Sequence, residues 1–302
     1  MNKLLPLMQR EWLQHRFGWM LMVVVPFAIA LLLLSFGQLA IGPDTADRVG
    51  NSLPPLLAMA SIAGSGAVIF LIAGVTSLII VAGVARRDHG DRSIEFWLSL
   101  PTTHSASLAA PLLVHLLLVP AVALLVGLTG GLLVSLVLVT RVVGIGAWIA
   151  LPWGDLLPAV LAIAARLLAG LPLAMLWLSP LILLVVLLSA WFRRWAWVIL
   201  GVGLGLGGQL LDRLFGQPLL SDITLGLLRG AGKALVSAGE GFQMGPNQGS
   251  EGLRQLPGWA LHDFGLALRE LPSPLLAGGL LFAAGCFVLL IVWRQRGAGA
   301  AG

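Results

Sequence analysis

Six runs free of Asp, Glu, Lys and Arg, at residues 17 to 41, 54 to 85, 105 to 139, 167 to 192, 195 to 211 and 272 to 293, leave this chain few ways to fold. About 20 apolar residues in a helix cross the roughly 30 Å hydrocarbon core of a bilayer, and most of these runs are longer. In lipid every backbone N–H and C=O must be paired within the segment, which selects helices. With 58% hydrophobic and only 10% charged residues among 302, the chain has too little charge to cover a water-soluble globule. The predicted fold is therefore all-α, a polytopic membrane protein with about six transmembrane helices. The run 195 to 211 is short for a crossing. The run 105 to 139 is longer than needed, and Pro111 and Pro120 are expected to bend it.

The first run follows Arg10, Glu11 and Arg16 and ends in Gly42, Pro43 and Asp44 rather than in a small-residue cleavage site, so it reads as a retained span. Placing the N-terminus in the cytoplasm collects Lys3, Arg10, Arg16, Arg86, Arg87, Arg92, Arg193, Arg194, Arg294 and Arg296 on one side, as the positive-inside tendency requires. Both termini are then inside, and 42 to 53, 140 to 166 and 212 to 271 are outside. The net charge of +5 is thus a matter of topology and not of nucleic-acid binding. Arg166 would be expensive at mid-bilayer, so 156 to 166 is expected as an interfacial helix with Arg166 near the outer surface. The outer stretch 212 to 271 carries one apolar stripe at helical spacing and a Gly-rich turn region, consistent with one or two short helices at that face. Cys286 is a lone cysteine inside the last run and is assigned to packing.

Three motifs resemble sites and fail on inspection. In "GLLRGAGKA", Leu227 and Ala234 stand where a phosphate-binding loop needs a glycine and a hydroxyl. In "GVGLGLGG" the glycines have a dinucleotide-like register but no strand before them; Gly201 with Gly205 instead has the spacing that lets helix backbones approach. "AGSGA" lacks the spacing of a nucleophile elbow. His115 is the one ionisable side chain at membrane depth, a candidate for a pathway or for packing against a neighbouring helix. The spans themselves contain no His-x-x-x-His, no Glu-x-x-His and no acidic cluster, so neither a metal nor a cofactor is expected on this chain.

One dense charged run interrupts the apolar pattern: "RRDHGDRSIEFWLSLPTT", residues 86 to 103. Asp91 is suited to cap a helix, Glu95 lies near its positive end and Pro101 stops it after about two turns. A helix that short needs tertiary support. Ile94, Trp97 and Leu98 form one apolar stripe and Phe96 with Leu100 a second, so two apolar neighbours are required: the membrane or the chain's own spans for one, a second protein for the other.

The register Asp91, Arg92, Ser93, Ile94, Phe96, Trp97, Ser99, Leu100, Pro101 resembles the cytoplasmic loop of the ABC-2 type permease family, the membrane subunits of ATP-driven exporters. The chain departs from that pattern at Leu98, Thr102 and Thr103. The resemblance implies a single transmembrane domain over 1–302, with an amphipathic N-terminal helix at 1–16, a cytoplasmic coupling loop at 86–104 and an extracytoplasmic loop at 212–271. It further implies that Asp91, Arg92, Ser93, Ile94, Glu95, Phe96, Trp97, Leu98 and Pro101 form a coupling helix seated in a separate cytoplasmic ATPase subunit. A second permease chain, identical or homologous, would complete the pathway in a bacterial inner membrane. The chain itself would not be an enzyme; ATP and Mg would belong to the ATPase. The competing expectations are an ion- or proton-coupled secondary transporter, which should pair ionisable groups within its spans, and a noncatalytic membrane scaffold or immunity protein.

Overall fold

The computed structural model describes residues 4–37, 52–90, 104–192, 195–216, 218–237 and 249–299. Helices account for nearly all of them: α1 Leu4–Phe36, α2 Leu53–Gly90, α3 His104–Leu113, α4 Val119–Val142, α5 Ile145–Ile149, α6 Trp153–Phe192, α7 Ala196–Phe215, α8 Leu219–Leu235, α9 Gly249–Arg269 and α10 Pro274–Gly299. A π-helical turn, Val114–Leu118, joins α3 to α4 into one rod. The cause is local. Pro120 has no N–H and its ring would strike a carbonyl one turn back, and the wider turn moves that carbonyl aside.

Five segments are long and apolar enough to cross a membrane: Leu5–Phe36, Leu53–Ala85, Ser105–Val142, Trp153–Phe192 and Pro274–Trp293. They correspond to five of the six apolar runs, and the fold is that of an all-α, multi-pass membrane protein. The sixth run forms α7, a helix of 20 residues whose glycines and terminal Asp212 and Arg213 keep it out of that set. Three rods are much longer than a bilayer core is thick. The 33 residues of α1, 38 of α2 and 40 of α6 rise to about 50, 57 and 60 Å at 1.5 Å per residue.

Two expectations are corrected here. The N-terminal segment is not a separate amphipathic helix over 1–16, since α1 runs without a break from Leu4 through the first apolar run. Residues 156 to 166 are likewise no separate interfacial helix but the first half of α6, because "LLPAVLAIAAR" continues the helical register into the following span. The proposed coupling helix, from Asp91 to Pro101, lies outside the described residues, although the backbone of α2 stays helical through 86–90 up to its edge.

The frame of the molecule is the antiparallel pair α2 and α4. A Cβ on Gly131 would lie 2.7 Å from Ile62 Cα, and one on Gly127 would lie 2.9 Å from Gly66 Cα, so glycine is what permits this approach. Toward the N-terminal end of α2, Ala58, Ile62, Leu156, Ala159, Val160, Leu253 and Leu256 form one buried cluster that joins α2, α6 and α9. Toward the C-terminal end of α2, Val81, Val84, Ala85, Leu108, Val186, Cys286 and Leu290 form another that joins α2, α3, α6 and α10. The stretch 212 to 271 contributes α8 and α9, both seated on α6. Gly216, at φ 64°, ends α7 in the left-handed region, and Gly144, at φ 112°, makes the corner between α4 and α5.

Candidate functional site

His115 occupies the π-helical turn, and both its flanking helices press it inward: its side chain has no exposed surface. Facing it is α1. Glu11 and His15 are one helical turn apart, hence on one face of α1, and Trp19 is the next residue on that face. Glu11 is 2% and Trp19 6% exposed. Glu11 Oε2 stands 3.5 Å from His115 Nε2. The His15 and His115 rings meet edge to face with centroids 5.2 Å apart, and Trp19 lies 5.7 Å from His115. The apolar wall is Ile69 and Ala73 of α2, with Val114, Val119 and Ala123 on the His115 side. Ser77 is fully buried on the same face of α2, one turn beyond Ala73.

This arrangement corrects the view of His115 as the one ionisable group at depth. Glu11, assigned from sequence to a surface segment, is buried beside it. Neither ring nitrogen of His115 has a hydrogen-bond partner, nor does Trp19 Nε1. One carboxylate oxygen and two imidazole nitrogens, from Glu11, His15 and His115, all lie within 4.8 Å of one another, a donor set able to hold a proton or a metal ion. The Glu-x-x-x-His spacing at 11 and 15 was legible in the sequence, but nothing in one dimension aims it at residue 115.

A second polar centre lies toward the other end of α6. Arg166 Nε donates to Asp263 Oδ2 at 2.8 Å, and Arg166 Nη1 donates to the Ala234 carbonyl at 2.7 Å. Its guanidinium also lies 5.6 Å from the Phe264 ring centroid. Asp263 accepts from the Ser237 N–H with both oxygens, each at 3.2 Å. Arg166 is thus held inside protein by α8 and α9. Each of its three nitrogens donates within the chain, Nη2 to the Lys233 carbonyl at 3.3 Å, which marks it as a structural clamp.

Gly201 and Gly205 face open space, and among the described residues no atom lies near the position a Cβ would take. Approaches to the backbone of a neighbouring helix fall instead to Gly127 and Gly131 of α4 and Gly170 of α6. An apolar cleft of about 470 Å³ lies between α6, α7, α8 and α10, lined among others by Pro180, Leu184, Leu204, Ile223, Leu275 and Phe282. Of the sequence-predicted residues, only His115 sits at a chemically equipped site. Asp91, Arg92, Ser93, Ile94, Glu95, Phe96, Trp97, Leu98 and Pro101 belong to the segment outside the described residues.

Comparison with models of known protein families, with curated proteins and with solved structures produced no match to this chain. The class that the fold defines is a multi-pass helical membrane protein with a buried carboxylate–imidazole site between α1 and the rod formed by α3 and α4.

Proposed function

We propose that the chain is the permease subunit of an ABC-type exporter in a bacterial inner membrane, pairing with a second permease chain and driven by separate cytoplasmic ATPase subunits. The observation that carries this reading is mechanical. In sequence the charged run 86 to 103 begins in the last residues of α2 and ends where the rod formed by α3 and α4 begins, and those two rods are packed together at Gly66, Gly127 and Gly131. A push delivered at the loop moves two tightly packed helices as a body, over a length greater than the bilayer core, because close-packed interiors transmit displacement instead of absorbing it. The loop's resemblance to the ABC-2 permeases supplies the source of the push, an ATPase closing on ATP.

The test is to purify the chain with the ATPase encoded beside it and compare Trp97→Glu with the wild type. Loss of co-purification and of stimulated ATP hydrolysis is the expected result. Unchanged association and unchanged hydrolysis would remove the coupling role.

One observation favours a second reading. The Glu11 and His115 pair is the kind of buried ionisable couple that a proton-coupled secondary transporter needs. On that reading His115→Ala abolishes proton-dependent uptake in vesicles while ATP has no effect.

A further inference from the structure

We propose that Glu11, His15 and His115 form a binding site for a divalent metal ion of the zinc class, which straps α1 to the rod formed by α3 and α4. The inference stands apart from the permease reading and holds whichever transport mechanism the chain serves. Four observations converge on it.

The first is distance. An N–H···O hydrogen bond spans about 2.7 to 3.2 Å, and the Glu11 to His115 separation of 3.5 Å exceeds it. Two donors on one tetrahedral zinc, each about 2.0 to 2.1 Å from the metal, stand about 3.4 Å apart. The Glu11–His115 separation is close to that edge, and the three donor atoms lie within 4.8 Å of one another, so the wider separations close as the ion binds.

The second is an unmet need. His115 has no exposed surface, and both its ring nitrogens lack a hydrogen-bond partner. A polar atom buried without a partner costs on the order of 1 to 3 kcal/mol, and a metal bond to a ring nitrogen relieves one of the two. The third is the donor set. Two imidazoles and one carboxylate are the ligands zinc takes where a fourth position stays open to water or another ligand. The two imidazole nitrogens are borderline donors, out of place in the all-oxygen shells of calcium and magnesium.

The fourth is the backbone. The i, i+4 spacing puts Glu11 and His15 on one face of α1, and the π-helical turn at Val114–Leu118 carries the third ligand opposite them. One face of α1 packs through Trp19, Met22, Val23 and Phe27, while Leu13, Phe17, Met20, Val24, Leu32 and Leu33 on its other faces are exposed. A metal strap adds a further attachment at the polar end of this helix.

The experiment is equilibrium dialysis of the tag-free, full-length chain in detergent against Zn²⁺, with Co²⁺ absorption as a second readout. One ion per chain is expected, with visible bands of a tetrahedral cobalt centre. His115→Ala and Glu11→Gln should each weaken binding about 100-fold or more, since even partners outside the ligand shell are worth 10- to 100-fold. His15→Gln, at a half-buried position, supplies a variant that leaves the interior filled if the other two fail to fold, and it too should weaken binding while its melting temperature in metal-free buffer stays that of the wild type. His262→Gln, at an exposed position on α9, should leave binding as it is. Binding that is absent in the wild type, that survives His15→Gln and His115→Ala, or that disappears with His262→Gln overturns the site. A shared proton between Glu11 and His115 would leave the chain without zinc and would also overturn it.

Discussion

Arg166 and Asp263, 97 residues apart in sequence, meet as a buried ion pair of 2.8 Å with side chains only 1% and 3% exposed. Around them α6, α8 and α9 are joined through the Ala234 carbonyl and the Ser237 N–H. Removing one partner strands a buried charge, a loss of about 3 to 5 kcal/mol where both ions are desolvated. Arg166→Ala should therefore lower the melting temperature in detergent sharply and open α8 and α9 to protease. A double-mutant cycle with Asp263→Ala should show strong positive coupling, the second change adding little to the first. Additive losses would show that the pair is no clamp.

Lys233 and Glu270 form the contrasting case. Their charges are also close, at 2.6 Å, but the side chains are 52% and 46% exposed. Water and salt screen such a pair, which is worth about 0 to 1 kcal/mol. Glu270→Gln should shift the melting temperature by no more than the error of a differential scanning measurement.

Glycine at 131 is a steric requirement, because a methyl group there meets backbone atoms of Ile62 that cannot rotate away. Gly131→Ala should destabilise by about 1 to 3 kcal/mol, the range for overpacking. Gly203→Ala, where the added methyl meets nothing among the described residues, should be neutral or slightly stabilising through its higher helix propensity. Thermal unfolding of the two variants side by side checks the contrast.

Arg141 closes the far end of the frame by donating to the carbonyls of Ser35 and Gly37, which continue α1. These acceptors are among the last carbonyls of a helix, which have no partner within it. Arg141→Ala should raise amide hydrogen exchange over residues 32 to 37, with a global cost of about 1 kcal/mol. An unchanged exchange pattern would mean the contact does not hold the helix end.

Five crossings would leave the two termini on opposite sides of the membrane, whereas a sixth through α7 returns them to the same side. The basic residues at both ends favour the sixth crossing. Ser250→Cys, at an exposed position on α9, should then react with an impermeant maleimide added to intact cells, while cysteines placed at either terminus should not. Labelling of exactly one terminus would instead show that α7 folds back within one leaflet.

Hydropathy alone was enough to read the all-helical class and the places of five spans. The reason is thermodynamic: a bilayer offers backbone groups no partners, so an apolar run of sufficient length has one structure open to it. Pro111 and Pro120 likewise announced a departure from regular helix, since the missing N–H of proline acts within a single turn. The partners of Glu11, His115, Arg166 and Asp263 were decided only by tertiary structure. Spacing along a helix reports what shares a face, and which faces meet depends on how rods pack, here on the glycines that let α2 and α4 close up and on the π-helical turn that carries His115. Buried polar groups then sort into pairs because each unpaired one is costly in a medium without water, and that selection operates between helices, where no one-dimensional pattern records it.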